Sequence, residues 1–251
     1  MYYFYDKTFI GFLSLVYEVF LRKDSDFMIM AKGENSLFDG IHVETSIEKA
    51  EKVYNVLEKS IGNENLEKVF STFLSERLNI EQILINYIKQ GLKYKKEIYK
   101  YYSKEVLEVE KTSKKVCHEA HKFKGMLRFR KLLDDTYLAI ICPDYDILPL
   151  ILSHFSNRYS DQNFVIYDEK RKKSIIYNMK IKKAEIKKII DFDNRLFDFK
   201  NFELLHKEER EYISLWKQYF ESIGIEDRKN TKLQKSHMSN KYWKNLVEIN
   251  S

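Results

Sequence analysis

The chain is poor in glycine, proline and cysteine, and it has no long uninterrupted apolar run. Its 251 residues include 7 Gly, 2 Pro and 2 Cys. So few chain-breaking residues predict long helices joined by short connections. The two cysteines, Cys117 and Cys142, are too few for a disulfide framework and are typical of a reducing compartment.

The apolar N-terminal stretch MYYFYDKTFIGFLSLVYEVF does not resemble a signal peptide. It lacks a basic leader, and Asp6, Lys7 and Glu18 interrupt it. No segment reaches the roughly 18 uninterrupted apolar residues that a membrane span requires. We therefore expect a soluble cytoplasmic protein that does not engage a membrane.

The periodicity of the apolar residues predicts an α+β fold. In the first half, apolar residues recur with the period of a helix, whereas the second half alternates short apolar runs with turns. There, the order is strand, strand, helix, strand, strand: GMLRFRKL, YLAIIC, PDYDILPLILSHFSNRY, NFVIYD and SIIYN. We predict an antiparallel sheet with helices packed on it, after a helix-rich N-terminal half. Residues 1–113 are a scaffold region and 114–251 a basic region, unless the two form one continuous domain.

Positive charge is concentrated in three blocks. Residues 114–131 carry a net +6, residues 170–188 a net +8 and residues 228–244 a net +6. Because the whole chain has a net charge of +6, the remainder carries −14. This segregation favours a polyanionic partner, and the alternative is a set of solvated lysine-rich faces.

The stretch CHEAHKFKGMLRFR, together with the following helix and hairpin, supplies candidate phosphate ligands. Arg128 and Arg130 lie two apart in a predicted strand, so both are expected on one face. His154 and Arg158 lie four apart on a predicted helix, and Arg171 lies in the second hairpin turn. Planar guanidinium groups match phosphate oxygens, and the alternative for each is a structural ion pair.

The same segments contain polar residues that could form an acid–base centre. Glu119, His121, His154 and Asp168 are the candidate catalytic residues, provided that they line one cleft. His118 and His121 are three apart, one residue short of the zinc-protease spacing, and no Cys-x-x-Cys pair is present. Since the chain also lacks a glycine-rich nucleotide loop, we assign it no metal and no cofactor.

Aromatic residues alternate with charge near the C-terminus. Trp243, in KYWKNL, is the candidate for stacking on an unpaired base, and Arg228 is a further candidate phosphate ligand in the same acid-free block. Trp216 and Tyr219 have the spacing of an ordinary buried helical face.

Four segments together resemble a bacterial family of unknown function labelled "probable DNA metabolism protein". They are YDKTFIGFLSLVYE, VCHEAHKFKGMLRF, PDYDILPLILSHFSNRYSDQNFVIYDEKR and LWKQYFESIGIEDRKN…HMSNKYWKNLVE. The matching positions include Glu119, His121, Arg128, His154, Arg158, Asp168, Arg171, Arg228 and Trp243. The chain departs from the family pattern at Lys7, Ile10, Thr231 and Ser239.

The resemblance implies a role in DNA metabolism beside uracil-DNA-glycosylase-like or radical SAM proteins, without specifying a reaction. Our leading hypothesis is a DNA-metabolism or repair protein that binds nucleic acid through a basic surface and acts with such a partner. One alternative is an enzyme that acts on nucleic acid or a modified base. The other is a protein-interaction scaffold whose basic surface binds an acidic protein.

Overall fold

The computed structural model describes residues 1–24, 26–31, 39–189, 193, 195, 203–225, 230–238, 240–243 and 246. The chain forms two compact units, Met1–His118 and Glu119–Ser251. The predicted boundary lies near residue 113, whereas in the structure the division follows His118, inside a long helix. Within the described ranges, no helix is both long enough and apolar enough to cross a membrane.

The first unit is built on a small parallel sheet. Strand β1 (Tyr2–Tyr5) lies between β2 (Met28–Ala31) and β3 (Ile41–His42) and runs parallel to both. Tyr3 and Tyr5, on β1, are fully buried and belong to the core of this unit.

Helices complete the first unit. They are α1 (Phe9–Arg22), α2 (Ile47–Ile61), α3 (Asn63–Phe73), α4 (Ile80–Tyr94), a 3-10 helix (Lys95–Lys100) and the start of α5 (Lys104–Met126). Thr8 caps α1 by accepting a hydrogen bond from the Gly11 amide at 2.9 Å. Their inward apolar side chains bury a single core, as the helical period predicts.

The second unit contains the larger sheet, with the strand order β4-β5-β6-β7-β8. Its strands are β4 (Arg130–Lys131), β5 (Tyr137–Ile141), β6 (Phe164–Asp168), β7 (Lys173–Asn178) and β8 (Lys183–Lys188). Its helices are α6 (Leu148–Arg158), α7 (Lys207–Ile223), α8 (Thr231–His237) and α9 (Asn240–Trp243), in addition to the end of α5. The α+β fold class is confirmed.

The sheet is mixed, and the prediction of a purely antiparallel sheet is wrong. Strands β5 and β6 run parallel, whereas the other three pairings are antiparallel. Helix α6 connects β5 to β6 as a crossover, which returns the chain to the end of the sheet where β5 began. Strand β8 is not predicted from the sequence, because KAEIKK is mostly charged and lacks an apolar run.

The prediction that Arg128 and Arg130 lie in one strand is also wrong. Helix α5 continues to Met126, and the strand begins only at Arg130, so Arg128 lies in the segment between them. Leu127 and Phe129 pack against the core of the second unit.

That core lies on the face of the sheet that α5 and α6 cover. Phe123 from α5 and Phe155 from α6 pack with Ile166 and Ile175 from the middle strands. At one end of the sheet, Ile141, Asp168 and Lys173 lie side by side in register. The loops after β5 and β6 leave the sheet at this end, and they carry much of the predicted site.

Candidate nucleic-acid interface

Glu119 holds the loop that follows β5, here called the 142–147 loop. Its side chain is buried, and one oxygen, Oε1, accepts hydrogen bonds from the Asp144 amide at 3.0 Å and the Tyr242 hydroxyl at 2.8 Å. The other oxygen, Oε2, accepts from the Tyr145 amide at 3.0 Å. A carboxylate that receives three donors in a buried position is a structural anchor, because the donors would otherwise lose their partners.

Asp168 closes the turn between β6 and β7. It is fully buried, and its Oδ1 atom accepts hydrogen bonds from the amides of Lys170 at 3.0 Å and Arg171 at 3.2 Å. Its Oδ2 atom forms an ion pair with Arg171 Nη1 at 3.0 Å. Burial raises the pKa of Asp168 above its ordinary value, and the charge and hydrogen bonds of Arg171 act in the opposite direction.

Arg171 links this turn to the 142–147 loop. Its side chain is 6% exposed. Besides Asp168, the guanidinium donates to the Pro143 carbonyl at 3.2 Å and the Asp144 carbonyl at 2.8 Å. Lys170 Nζ also donates to the Asp144 carbonyl at 3.0 Å.

The structure therefore brings Glu119, Asp168 and Arg171 together around one loop. Glu119 receives the loop's amides, and Arg171 donates to its carbonyls. These contacts fix the loop at the carboxyl ends of β5 and β6, the two parallel strands. The predicted roles of Glu119 and Asp168 in catalysis and of Arg171 in phosphate binding stay predictions, and the contacts of all three within the fold are structural.

The predicted histidines lie elsewhere on the second unit. His121 is exposed on α5, and His154 is half-buried on α6 with its ring 5.0 Å from that of Phe155. The pKa of His154 is lowered by burial first and then by the positive charges of Lys124 and Arg158. Its electrostatic surroundings are therefore cationic.

We call Lys124, His154 and Arg158 the α5–α6 patch. Lys124 lies in the last turn of α5, whereas His154 and Arg158 share one face of α6 because they are four residues apart. Arg158 is exposed, and its guanidinium lies 5.8 Å from the centre of the Tyr159 ring. Among the described residues, neither Lys124 nor Arg158 forms an ion pair.

Arg128 and Arg130 do not present a common surface. Arg128 is half-buried, and its Nη1 atom donates to the Met126 carbonyl at 3.3 Å. Arg130 is 4% exposed, and its charge lowers the pKa of Glu209, which burial raises more strongly. Arg130 therefore lies close to a half-buried carboxylate of α7, 79 positions later in the sequence.

The C-terminal candidates are only partly described. Trp243 is half-buried, its indole Nε1 donates to the Met238 carbonyl at 3.1 Å, and Lys235 Nζ lies 5.9 Å from its ring centre. Arg228 lies outside the described residues. Whether Trp243 stacks on a base therefore stays a prediction.

Sequence reasoning missed two cations that the fold places near the predicted residues. Lys124 belongs to the α5–α6 patch, and Lys170 contacts the 142–147 loop. Both were visible as members of basic blocks, but their positions depend on where α5 ends and how the β6–β7 turn folds. Over the described part of the chain, no three His, Cys, Asp or Glu side chains are grouped so that they could hold a metal ion.

Comparisons with known proteins give one match. No curated protein and no solved structure matches the chain. A family model described as a domain of unknown function, DUF4130, matches residues 78–248. This range holds every predicted site residue and more than half of the chain, so the chain belongs to the DUF4130 family.

Proposed function

We propose that this chain is a nucleic-acid-binding protein of DNA metabolism that holds the phosphate backbone on the α5–α6 patch. The observation that carries the proposal is geometric: His154 and Arg158 share one face of α6, Lys124 lies in the last turn of α5, and neither Lys124 nor Arg158 forms an ion pair among the described residues. Burial first, and then the charges of Lys124 and Arg158, lower the pKa of His154. A phosphate placed there would relieve the repulsion between these groups. Phosphate contacts of this kind fix position on a strand without reading its sequence.

The remainder of the second unit supports the same proposal. Lys122 adds charge on α5, and Lys170 and Lys172 add charge at the β6–β7 turn, at the other end of the sheet. The buried Glu119 and the Asp168–Arg171 pair hold the 142–147 loop, which lies at the other end of the sheet from Arg158. We therefore assign Arg158, Lys124 and His154 to phosphate contact, and we assign Glu119, Asp168 and Arg171 to holding the 142–147 loop.

The resemblance to DNA-metabolism proteins supports DNA as the polyanion. It also suggests a radical SAM or glycosylase-like protein as the partner, in which case this chain would supply affinity for the substrate strand. Pull-down of such a partner after nuclease treatment would test a direct protein contact. Loss of the partner on nuclease treatment would indicate that DNA bridges the two proteins.

Binding is better supported than catalysis. The enzymatic alternative requires Glu119, His121, His154 and Asp168 to face one substrate. Glu119 and Asp168 are buried and bonded to backbone amides, whereas His121 is exposed on α5. A reaction at these groups would need the 142–147 loop to move away first.

The test is fluorescence anisotropy of labelled single-stranded and duplex DNA over a salt series. For wild-type protein, the logarithm of the affinity should fall linearly with the logarithm of the salt concentration. The double variant Lys124→Glu/Arg158→Glu should bind more weakly, with a salt slope smaller by about two because about one unit belongs to each phosphate contact.

A matched control reverses the same number of charges on the first unit. Lys59 lies exposed in the last turn of α2, and Lys104 is the exposed first residue of α5. Lys59→Glu/Lys104→Glu should keep the wild-type slope. If both double variants lose the same DNA affinity, net charge alone explains the loss and the assignment to the patch is contradicted. If the wild-type protein does not bind DNA at low salt, the proposal itself is refuted.

A further inference from the structure

Helix α7 exposes a continuous apolar face to solvent. Six of its side chains are between 41% and 67% exposed, and they are Tyr212, Leu215, Trp216, Tyr219, Phe220 and Ile223. Ile213 is the buried residue on this helix. With side chains of about 200 Å² that are roughly half exposed, the face amounts to roughly 600 Å². A patch of that size is at the upper end of what a monomer exposes, and it indicates an interaction site.

The N-terminal end of α7 is fixed to the second unit. The His206 amide donates to the Lys131 carbonyl at 3.0 Å, and Glu209 Oε2 accepts from the Lys131 amide at 3.1 Å. Leu205 forms an isolated bridge with Leu132. The apolar face therefore belongs to an anchored helix.

The spacing of the exposed residues is that of a helix that pairs with another helix. Tyr212, Trp216, Tyr219 and Ile223 are separated by four, three and four residues, which is the heptad pattern of a coiled-coil seam. Leu215 and Phe220 flank this seam on either side. A lipid surface and nucleic acid fit it poorly, because α7 carries four Glu against three Lys and Arg.

We propose that α7 forms an antiparallel coiled-coil contact with α7 of a second copy of this chain. A patch of roughly 600 Å² provides most of the about 800 Å² that each partner contributes to a standard interface. A two-fold axis lets one apolar seam serve both copies. Glu208 and Glu211 flank the seam at its N-terminal end, so a parallel pair would bring like charges together, whereas the antiparallel pair separates them. In that arrangement Tyr212 packs against Ile223 of the second copy, and Trp216 against Tyr219.

The first measurement is the mass in solution by analytical ultracentrifugation over a concentration series. We expect about 61 kDa, twice the 30.4 kDa of one chain. The variant Tyr219→Glu/Ile223→Glu should sediment as a monomer, because it places charge in the seam. The matched control Ser214→Glu/Gln218→Glu adds the same charge on the polar side of α7 and should stay dimeric. A monomeric wild-type protein, or a dimer that survives the seam substitutions, would overturn the proposal.

Cysteine cross-linking tests the direction of the pair independently of folding stability. In a Cys117→Ser/Cys142→Ser background, a mixture of Tyr212→Cys protein with Ile223→Cys protein should form a disulfide between the two chains under mild oxidation. Tyr212→Cys protein alone should not cross-link. The reverse pattern would indicate a parallel pair and contradict the proposed geometry.

Discussion

Removal of the Glu119 carboxylate is expected to destabilise the second unit strongly. Glu119 accepts two backbone amides at 3.0 Å and the Tyr242 hydroxyl at 2.8 Å, all from a position that is 6% exposed. Hydrogen bonds to a charged group contribute about 1.5–3 kcal/mol each. The Asp144 amide can regain water because that residue is exposed. We therefore expect Glu119→Ala to lower the free energy of unfolding by about 3–4 kcal/mol, less than the sum of three separate bonds.

Tryptophan fluorescence during urea unfolding gives the required measurement. The chain has 2 Trp, Trp216 and Trp243, and both lie in the second unit, so their emission reports on that unit. Tyr242→Phe is the matched comparison because it removes one bond and leaves the carboxylate with both amides. We expect this variant to lower the free energy of unfolding by about 1–2 kcal/mol.

The two losses of unfolding free energy show whether Glu119 anchors the 142–147 loop. If Glu119→Ala costs no more than Tyr242→Phe, the amide contacts with the 142–147 loop contribute nothing, and Glu119 is not its anchor. If Glu119→Ala strongly lowers the free energy of unfolding but leaves the DNA affinity at low urea unchanged, Glu119 acts in stability and not in binding.

Two further predictions concern charge. In the same fluorescence assay, Arg171→Met should lower the free energy of unfolding by about 3 kcal/mol, because it leaves the Asp168 carboxylate buried without its counterion. Adding Asp168→Asn should recover part of this loss. An unchanged urea midpoint for Arg171→Met would contradict the pairing. Because burial, Lys124 and Arg158 lower the pKa of His154, its ring is neutral near neutral pH and gains a proton only below its ordinary value of about 6.5. Since bound phosphate favours the protonated ring, DNA affinity should rise as the pH falls below about 6.5, and His154→Gln should flatten this rise. Wild-type and variant profiles of equal steepness would refute the contact.

The sequence predicted the elements of the second unit better than their pairing. NFVIYD and SIIYN, with five residues between them, specify the β6–β7 hairpin through local alternation and turn residues. Alternation carries no information on which strands become neighbours, so the parallel pairing of β5 with β6 was missed. The end of α5 was misplaced because MLRFR alternates like a strand, although its first residue still completes the helix.

The candidate site was less predictable because burial of a charged residue depends on distant partners. Nothing local to Arg171 indicates that its guanidinium reaches the carbonyls of Pro143 and Asp144, about 28 positions earlier. Arg130 is likewise buried because α7 brings Glu209 close to it. In contrast, His154 and Arg158 were paired correctly, since a helix places residues four apart on one face whatever surrounds it.

Strand β8 lies at the end of the sheet, with one side of its backbone unpaired within the described structure. Three of its six residues are Lys, and Lys183 and Lys187 both pair with Glu185 between them at 2.7 and 2.6 Å. A lysine-rich edge repels a second edge and resists strand addition, so the charge of β8 protects the protein from aggregation. Acetylation of these lysines would remove that protection without touching the core, and the acetylated protein would become prone to edge-to-edge polymerisation.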